Sequence, residues 1–137
     1  MGLRLYDPVG PHEAAMLNAL QLAYIGDTVW EMIVRGEMIH RGLSVHHMHS
    51  ACVGYVNAHG QALFLRDITP LLDAEEADIV RRGRNAHAHH PSPKNQNPED
   101  YAASTAFEAL IGYLYLCGRE ERILELSRMI LGGNQNG

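Results

Sequence analysis

Residues 98–118 read PEDYAASTAFEALIGYLYLCG, and this stretch decides the fold. Pro98 suits the first turn of a helix and Gly118 suits its end, so the pattern predicts one helix between them. Because more than one face of that helix is hydrophobic, we expect it to lie at the centre of the protein. Glu108 interrupts the apolar run, which is also shorter than the ~20 residues needed to cross a membrane. The stretch therefore predicts a core helix that carries a carboxylate.

The rest of the chain predicts further helices and no strands. Apolar residues recur at three-to-four spacing in four other segments. These segments are residues 12–37, 45–65, 73–84 and 119–131. Alternating β-branched runs bounded by hairpin-turn dipeptides do not occur. We expect an all-α fold in one domain over residues 1–137, with a frayed tail at 132–137.

Composition and charge exclude several classes of protein. The chain has 137 residues, of which 46% are hydrophobic and 20% charged, and its net charge is −5. That charge excludes a uniformly basic protein that coats nucleic acid. Cys52 and Cys117 are far apart and form no CxxC pair, which argues against a disulfide framework and a cysteine zinc site. The N-terminal segment lacks the apolar stretch of a secretory signal, so we expect a cytoplasmic protein.

Two carboxylates stand in apolar helical surroundings. Asp27 interrupts the run LQLAYIGDTVWEMIV, and Glu108 interrupts the central helix. A buried carboxylate is costly unless it is paired, hydrogen-bonded or bound to a metal. Gly26 and Gly112 suggest a close helix–helix approach that brings the two acids together. Oxygen ligands favour a hard cation such as Mg²⁺, with Mn²⁺ as a substitute. Alternatively, the acids are unrelated, and each caps a helix or pairs with an arginine.

The charges are unevenly distributed along the chain. Residues 73–80 contain four acids and no base, whereas residues 81–94 contain four bases and no acid. The four bases are Arg81, Arg82, Arg84 and Lys94. This segment is a candidate phosphate-binding surface, although a solvated loop that balances the preceding acids explains the charge equally well.

Three motifs resemble one known family. LAYIGDTVWE at residues 22–31 resembles the signature helix of the ribonuclease III endonuclease domain, and TAFEALIGYLYL at 105–116 resembles its second acidic helix. RRGRNA at residues 81–86, together with the chain length, is similar to Mini-ribonuclease III, the short bacterial branch without a double-stranded-RNA-binding domain. The resemblance covers about residues 10–131, which is nearly the whole chain.

The resemblance implies a catalytic site and a homodimer. Asp27 and Glu108 match the family's metal-binding catalytic positions, which implies Mg²⁺-dependent hydrolysis of phosphodiesters. Two further acids of the larger enzymes are replaced here by Ala23 and Thr105. The family dimerises through its signature helix, so we expect an interface there. The candidate interface residues are Tyr24, Ile25 and Trp30.

The resemblance also implies a substrate. We expect double-stranded RNA, specifically stems that flank precursor 23S ribosomal RNA, with a ribosomal protein as a further partner. The candidate RNA contacts are Arg81, Arg82, Arg84, Asn85, His87 and Lys94. At His87, where related sequences commonly have lysine, the charge of the loop should depend on pH.

Other functions remain open on the sequence alone. The replaced acids Ala23 and Thr105 are also consistent with a non-catalytic dimeric RNA-binding or ribosome-assembly module. His87, His89 and His90 form an alternative transition-metal site, but no cysteine or acid lies near them. The His-Asp dipeptide of helical metal-dependent phosphohydrolases does not occur.

Overall fold

A computed structural model describes residues 4–87 and 92–132, and these residues form helices connected by turns. The helices are α1 (Pro11–Ala15), α2 (Ala19–His40), α3 (Val45–Val56), α4 (Ala58–Ile68), α5 (Ala74–Asn85), α6 (Pro98–Leu116) and α7 (Glu120–Leu131). A short 3₁₀ helix, Thr69–Leu71, follows α4. The all-α prediction is confirmed. His89, His90 and the predicted tail from residue 133 onward lie outside the described residues.

Helix α6 is the central element, as its sequence predicts. It packs against α2, α4 and α5, with further contacts to α1 and α7. Every residue from 103 to 114 is buried except Glu108, which is half-buried. The Asn97 side chain caps the helix by accepting hydrogen bonds from the main-chain N–H groups of Glu99 and Asp100. Gly118 ends the segment with a φ of +78°, which favours glycine.

Two predicted long helices are each divided in two. The predicted helix over residues 12–37 ends at Ala15, and α2 begins afresh because Asn18 accepts a hydrogen bond from the Leu20 N–H. Likewise, Asn57 accepts from the Gly60 N–H and divides 45–65 into α3 and α4. At each point the asparagine side chain accepts a hydrogen bond from a main-chain N–H group that, in a continuous helix, would bond to a main-chain carbonyl oxygen one turn earlier.

Helices α2 and α6 approach each other at two glycines. A Cβ placed on Gly26 would lie 1.8 Å from the Glu108 carbonyl oxygen. A Cβ placed on Gly112 would lie 1.9 Å from the Leu22 carbonyl oxygen. Because a side chain on either residue would push the two backbones apart, the close contact that the sequence predicts depends on both glycines.

Trp30 belongs to the core. Its side chain is 1% exposed, and the indole N–H donates to the Tyr55 carbonyl oxygen at 2.7 Å. The ring meets that of Phe107 edge-on, with centroids 5.0 Å apart. The prediction of Trp30 as a dimer-interface residue is therefore wrong, because this side of α2 faces the interior of its own chain.

Among the residues that the structure describes, no helix is both long enough and apolar enough to span a membrane.

Candidate active site

The structure brings Asp27 and Glu108 together on adjacent helices. Asp27 follows Gly26 on α2, at the point where that helix rests directly on the Glu108 main chain. The Asp27 side chain is exposed, whereas Glu108 is half-buried on α6. The two side chains are close enough for a protonated Glu108 to donate a hydrogen bond to the Asp27 carboxylate. The acidic pair therefore lies at the edge of the core, open to solvent on the Asp27 side.

Electrostatics make this pair unfavourable in the absence of a cation. The pKa of Glu108 is raised to about 8, mainly by burial and then by the hydrogen bond and the charge of the neighbouring Asp27 carboxylate. The Gln61 amide acts in the opposite direction, because it favours the ionised form of Glu108. Glu31 makes a smaller contribution that also raises this pKa. The surroundings of Glu108 are therefore deficient in positive charge.

No cationic side chain of the described residues compensates for that deficiency. Within residues 4–87 and 92–132, no arginine, lysine or histidine forms an ion pair with Asp27 or Glu108. The alternative in which each acid pairs with an arginine is therefore excluded. Glu31, one turn beyond Asp27, is itself paired with Arg35 at 2.9 Å.

The donor set fits a cation that retains many of its water ligands. The part of the chain described here holds no group of three or more histidines, cysteines and acids arranged to bind a metal. Ala23 is buried and its side chain has no atom that can bind a metal. The Thr105 hydroxyl is already engaged, because it donates a hydrogen bond to the Tyr101 carbonyl oxygen at 3.1 Å. Mg²⁺ is commonly held by one or two carboxylates, with water and substrate phosphate completing its shell. Asp27 and Glu108 fit that pattern.

The family that matches this chain agrees with the site. The ribonuclease III domain matches residues 20–119, a span that contains both acids and all of α6. The chain belongs to the ribonuclease III domain family. The two helices that meet at Gly26 and Gly112 supply both acids to this matched span.

Individual relatives extend this ribonuclease III match. The chain is 48% identical to Mini-ribonuclease 3 of Symbiobacterium thermophilum over 111 residues, which cover 80% of this chain and 85% of the relative. It is 46% identical to Mini-ribonuclease 3 of Brevibacillus brevis over 112 residues, or 81% of this chain and 83% of the relative. A crystal structure of a Fusobacterium nucleatum protein superposes with a TM-score of 0.78 at 30% identity, covering 86% of this chain and 94% of that one.

The basic segment of this ribonuclease III domain divides into free and engaged side chains. Arg84 and Lys94 are exposed. Arg81 is exposed but pairs with Asp78 at 2.7 Å. The Arg82 guanidinium is half-buried and donates to the carbonyl oxygens of Ala15 and Leu17. Arg82 therefore anchors the turn between α1 and α2. Because its guanidinium is used in this structural role, Arg82 does not serve as the RNA contact that the sequence predicts.

The two remaining predicted RNA contacts, Asn85 and His87, lie at the end of α5 and just after it. Asn85 is exposed at the end of α5. The His87 ring packs against Tyr101 of α6, with centroids 4.7 Å apart. His87 therefore contacts the first turn of α6.

Large apolar side chains are exposed at the start of α2. Tyr24 is 85% exposed, and Leu20, one turn before it on α2, is also exposed, as is Met16 in the turn that precedes the helix. Ile25 is half-buried and reaches toward Gly112 of α6. Of the three predicted interface residues, Tyr24 has the largest solvent-exposed fraction, and Met16 and Leu20 are further exposed apolar residues that the sequence analysis did not identify.

Sequence analysis also missed a polar pair beside the acids. Gln61 of α4 is fully buried and accepts a hydrogen bond from the Ser104 hydroxyl of α6. No spacing rule identifies Gln61, because it lies on a separate helix and an isolated glutamine is usually a surface residue.

Proposed function

We propose that this chain is a metal-dependent endoribonuclease that hydrolyses phosphodiester bonds of double-stranded RNA. The observation that carries the proposal is the meeting of Asp27 and Glu108, neither of which forms an ion pair with an arginine, lysine or histidine of residues 4–87 and 92–132. The match to the ribonuclease III domain family supports the reaction class, and the Mini-ribonuclease 3 relatives support the short form of the enzyme. We further propose that residues 1–137 act as one catalytic domain.

Asp27 and Glu108 would hold Mg²⁺, or Mn²⁺ in its place. A bound ion of this kind supplies positive charge that activates a water molecule and offsets charge on the phosphate. To bind the ion, both carboxylates must be ionised. The half-buried position of Glu108 opposes its ionisation until a cation binds. The backbone contact at Gly26 keeps the carboxylates adjacent, so binding requires little rearrangement of α2 against α6.

RNA affinity would come from the surface between α5 and α6. Arg84 and Lys94 offer exposed positive charge to the RNA phosphates. Arg81 can do the same if its ion pair with Asp78 is replaced by a contact with phosphate. Asn85 and His87 supply polar contacts to the sugar–phosphate backbone. Contacts of this type are insensitive to base sequence and weaken with salt, which suits recognition of an A-form duplex by shape.

A homodimer would place two such sites on one duplex. The support for it is the exposed apolar pair Leu20 and Tyr24, which lies on the same helix as Asp27. Burial of an exposed tyrosine in a second copy of the chain is favourable, and a two-fold axis would relate the two acidic pairs. Each site would then cut one strand.

The cellular role follows from the family resemblance. We propose that the substrate is a stem of precursor 23S ribosomal RNA in the cytoplasm, presented with a ribosomal protein. The small basic surface around Arg84 supports a need for such a partner, because few phosphate contacts give modest affinity.

Cleavage of duplex RNA tests the proposed activity. Wild type should cut with Mg²⁺ and stop cutting on chelation, and Asp27→Asn and Glu108→Gln should each lower the rate by at least ~100-fold. Cleavage that survives both chelation and Asp27→Asn would contradict the mechanism. Binding of duplex RNA without any cleavage by wild type would instead favour a non-catalytic RNA-binding module, which the replaced acids at Ala23 and Thr105 also allow.

A further inference from the structure

Gln61 is a buried polar residue with an unmet hydrogen-bonding requirement. Its side chain is fully buried in α4, and its Oε1 accepts a hydrogen bond from the Ser104 hydroxyl. Its Nε2 has no hydrogen-bond partner among the described residues. Buried amide groups are nearly always satisfied, so a free donor at this depth requires an explanation.

The free donor lies beside the acidic pair. Ser104 precedes Glu108 by one turn of α6, so both side chains are on the same face of that helix. Gln61 is bound to Ser104, which places its amide against Glu108 where α4 packs on α6. The amide is near enough to influence the ionisation of Glu108, yet the two groups do not meet in regular hydrogen-bonding geometry.

We propose that Gln61 is a positioning residue whose Nε2 donates a hydrogen bond to the Glu108 carboxylate when Asp27 and Glu108 share a divalent cation. This inference rests on the function proposed above. Glu108 has two carboxylate oxygens, so one is free to accept from Gln61 while the other faces Asp27. The donor that is unsatisfied without the cation becomes satisfied with it.

Ser104 and the Glu108 carboxylate together determine which end of the amide faces Glu108. The Ser104 hydroxyl donates to Oε1, which leaves Nε2 directed toward the acid. The reverse orientation would place the amide oxygen against a carboxylate, which is electrostatically unfavourable. Partners of this kind orient metal-binding carboxylates, and their loss typically weakens metal affinity about 10–100-fold.

The test measures binding of Mn²⁺ alone to the full chain, by isothermal titration calorimetry or by electron paramagnetic resonance. Gln61→Met retains the size of the side chain but removes both the Nε2 donor and the Oε1 acceptor of the Ser104 hydrogen bond, whereas Ser104→Ala removes that hydrogen bond and leaves the Nε2 donor in place. Gln96→Met is the matched control, because Gln96 is exposed on the loop before α6. We expect Gln61→Met to bind Mn²⁺ at least ~10-fold more weakly than wild type, Ser104→Ala to be intermediate, and Gln96→Met to be unchanged.

Two further readouts separate positioning from folding. Gln61→Met should unfold, without metal, within a few degrees of wild type, because loss of the Ser104 hydrogen bond is offset by removal of a donor that is unsatisfied in that state. Excess Mn²⁺ should restore its rate of RNA cleavage, which it would not do for a protein with a damaged core.

The outcomes distinguish this inference from the proposed function. Equal Mn²⁺ affinity of folded Gln61→Met and wild type would overturn the inference and leave the metal mechanism intact. If Gln61→Met does not fold, Ser104→Ala decides: Mn²⁺ affinity equal to wild type overturns the inference. If wild type binds no Mn²⁺, or binds it no better than Asp27→Asn, the inference and the proposed function both fail.

Discussion

Replacement of Gly26 by alanine tests whether the close approach of α2 and α6 creates the site. The added Cβ would lie 1.8 Å from the carbonyl oxygen of Glu108 and 2.7 Å from the main-chain nitrogen of Gly112. Ordinary contact requires about 3.4 Å or more, so the helices must separate by more than ~1 Å at this point. Both obstacles are backbone atoms, and no side-chain rotation relieves the clash.

The expected cost of Gly26→Ala is ~1–3 kcal/mol of stability from overpacking, partly offset by ~1 kcal/mol from the better helix propensity of alanine. Cleavage should fall more sharply, by about 100-fold, because a displacement of ~1 Å between the carboxylates disrupts the site. Urea denaturation and single-turnover cleavage of duplex RNA measure the two effects.

Gly36→Ala is the matched control for this prediction. Gly36 lies on the same helix, but a Cβ there would meet nothing within 4 Å. The substitution should therefore raise stability by ~0.5–1 kcal/mol and leave cleavage unchanged. The reasoning would be refuted if Gly26→Ala proved as stable and as active as Gly36→Ala.

Three further predictions concern charge. The pKa of Glu108 is raised from 4.5 to about 8, so in the metal-free protein its stabilising effect is full below pH 4.5 and is lost as pH rises toward 8. Denaturation at pH 5 and at pH 8 should therefore show that the free energy of unfolding falls less between these pH values for Glu108→Gln than for wild type. Arg84→Ala should weaken RNA binding and reduce the slope of log affinity against log salt by about 1, which fluorescence anisotropy can measure. Its free energy of unfolding should change by no more than ~0.5 kcal/mol. An unchanged slope would show that Arg84 does not contact the RNA. Lowering the pH from neutral to 6 should tighten RNA binding by wild type more than by His87→Lys, and equal pH dependence would contradict this.

The sequence predicted those parts of the fold that depend on local pattern. The apolar run from Ala102 to Cys117 is too continuous for a surface helix, and it forms the centre of the structure. Gly26 and Gly112 lie beside the two acids in sequence, so their close packing was predictable from the cost of glycine inside a helix.

Other features depend on tertiary context and were not predictable. Asn18 and Asn57 divide helices because their side chains cap new ones, whereas the hydrophobic spacing continues across both points. Trp30 and Tyr24 share an apolar segment of α2, but only the three-dimensional packing shows that one faces the core and the other solvent. Arg82 looks identical to its neighbours in the sequence, and its partners are main-chain carbonyls more than 60 residues away.

Binding of a divalent cation between Asp27 and Glu108 is the central claim. Its most direct test is a crystal of this chain soaked in Mn²⁺, with anomalous diffraction recorded to locate the metal. We predict one strong anomalous peak at about 2.0–2.2 Å from an oxygen atom of each carboxylate. An empty site with well-ordered Asp27 and Glu108 side chains, at Mn²⁺ concentrations that support RNA cleavage, would contradict it.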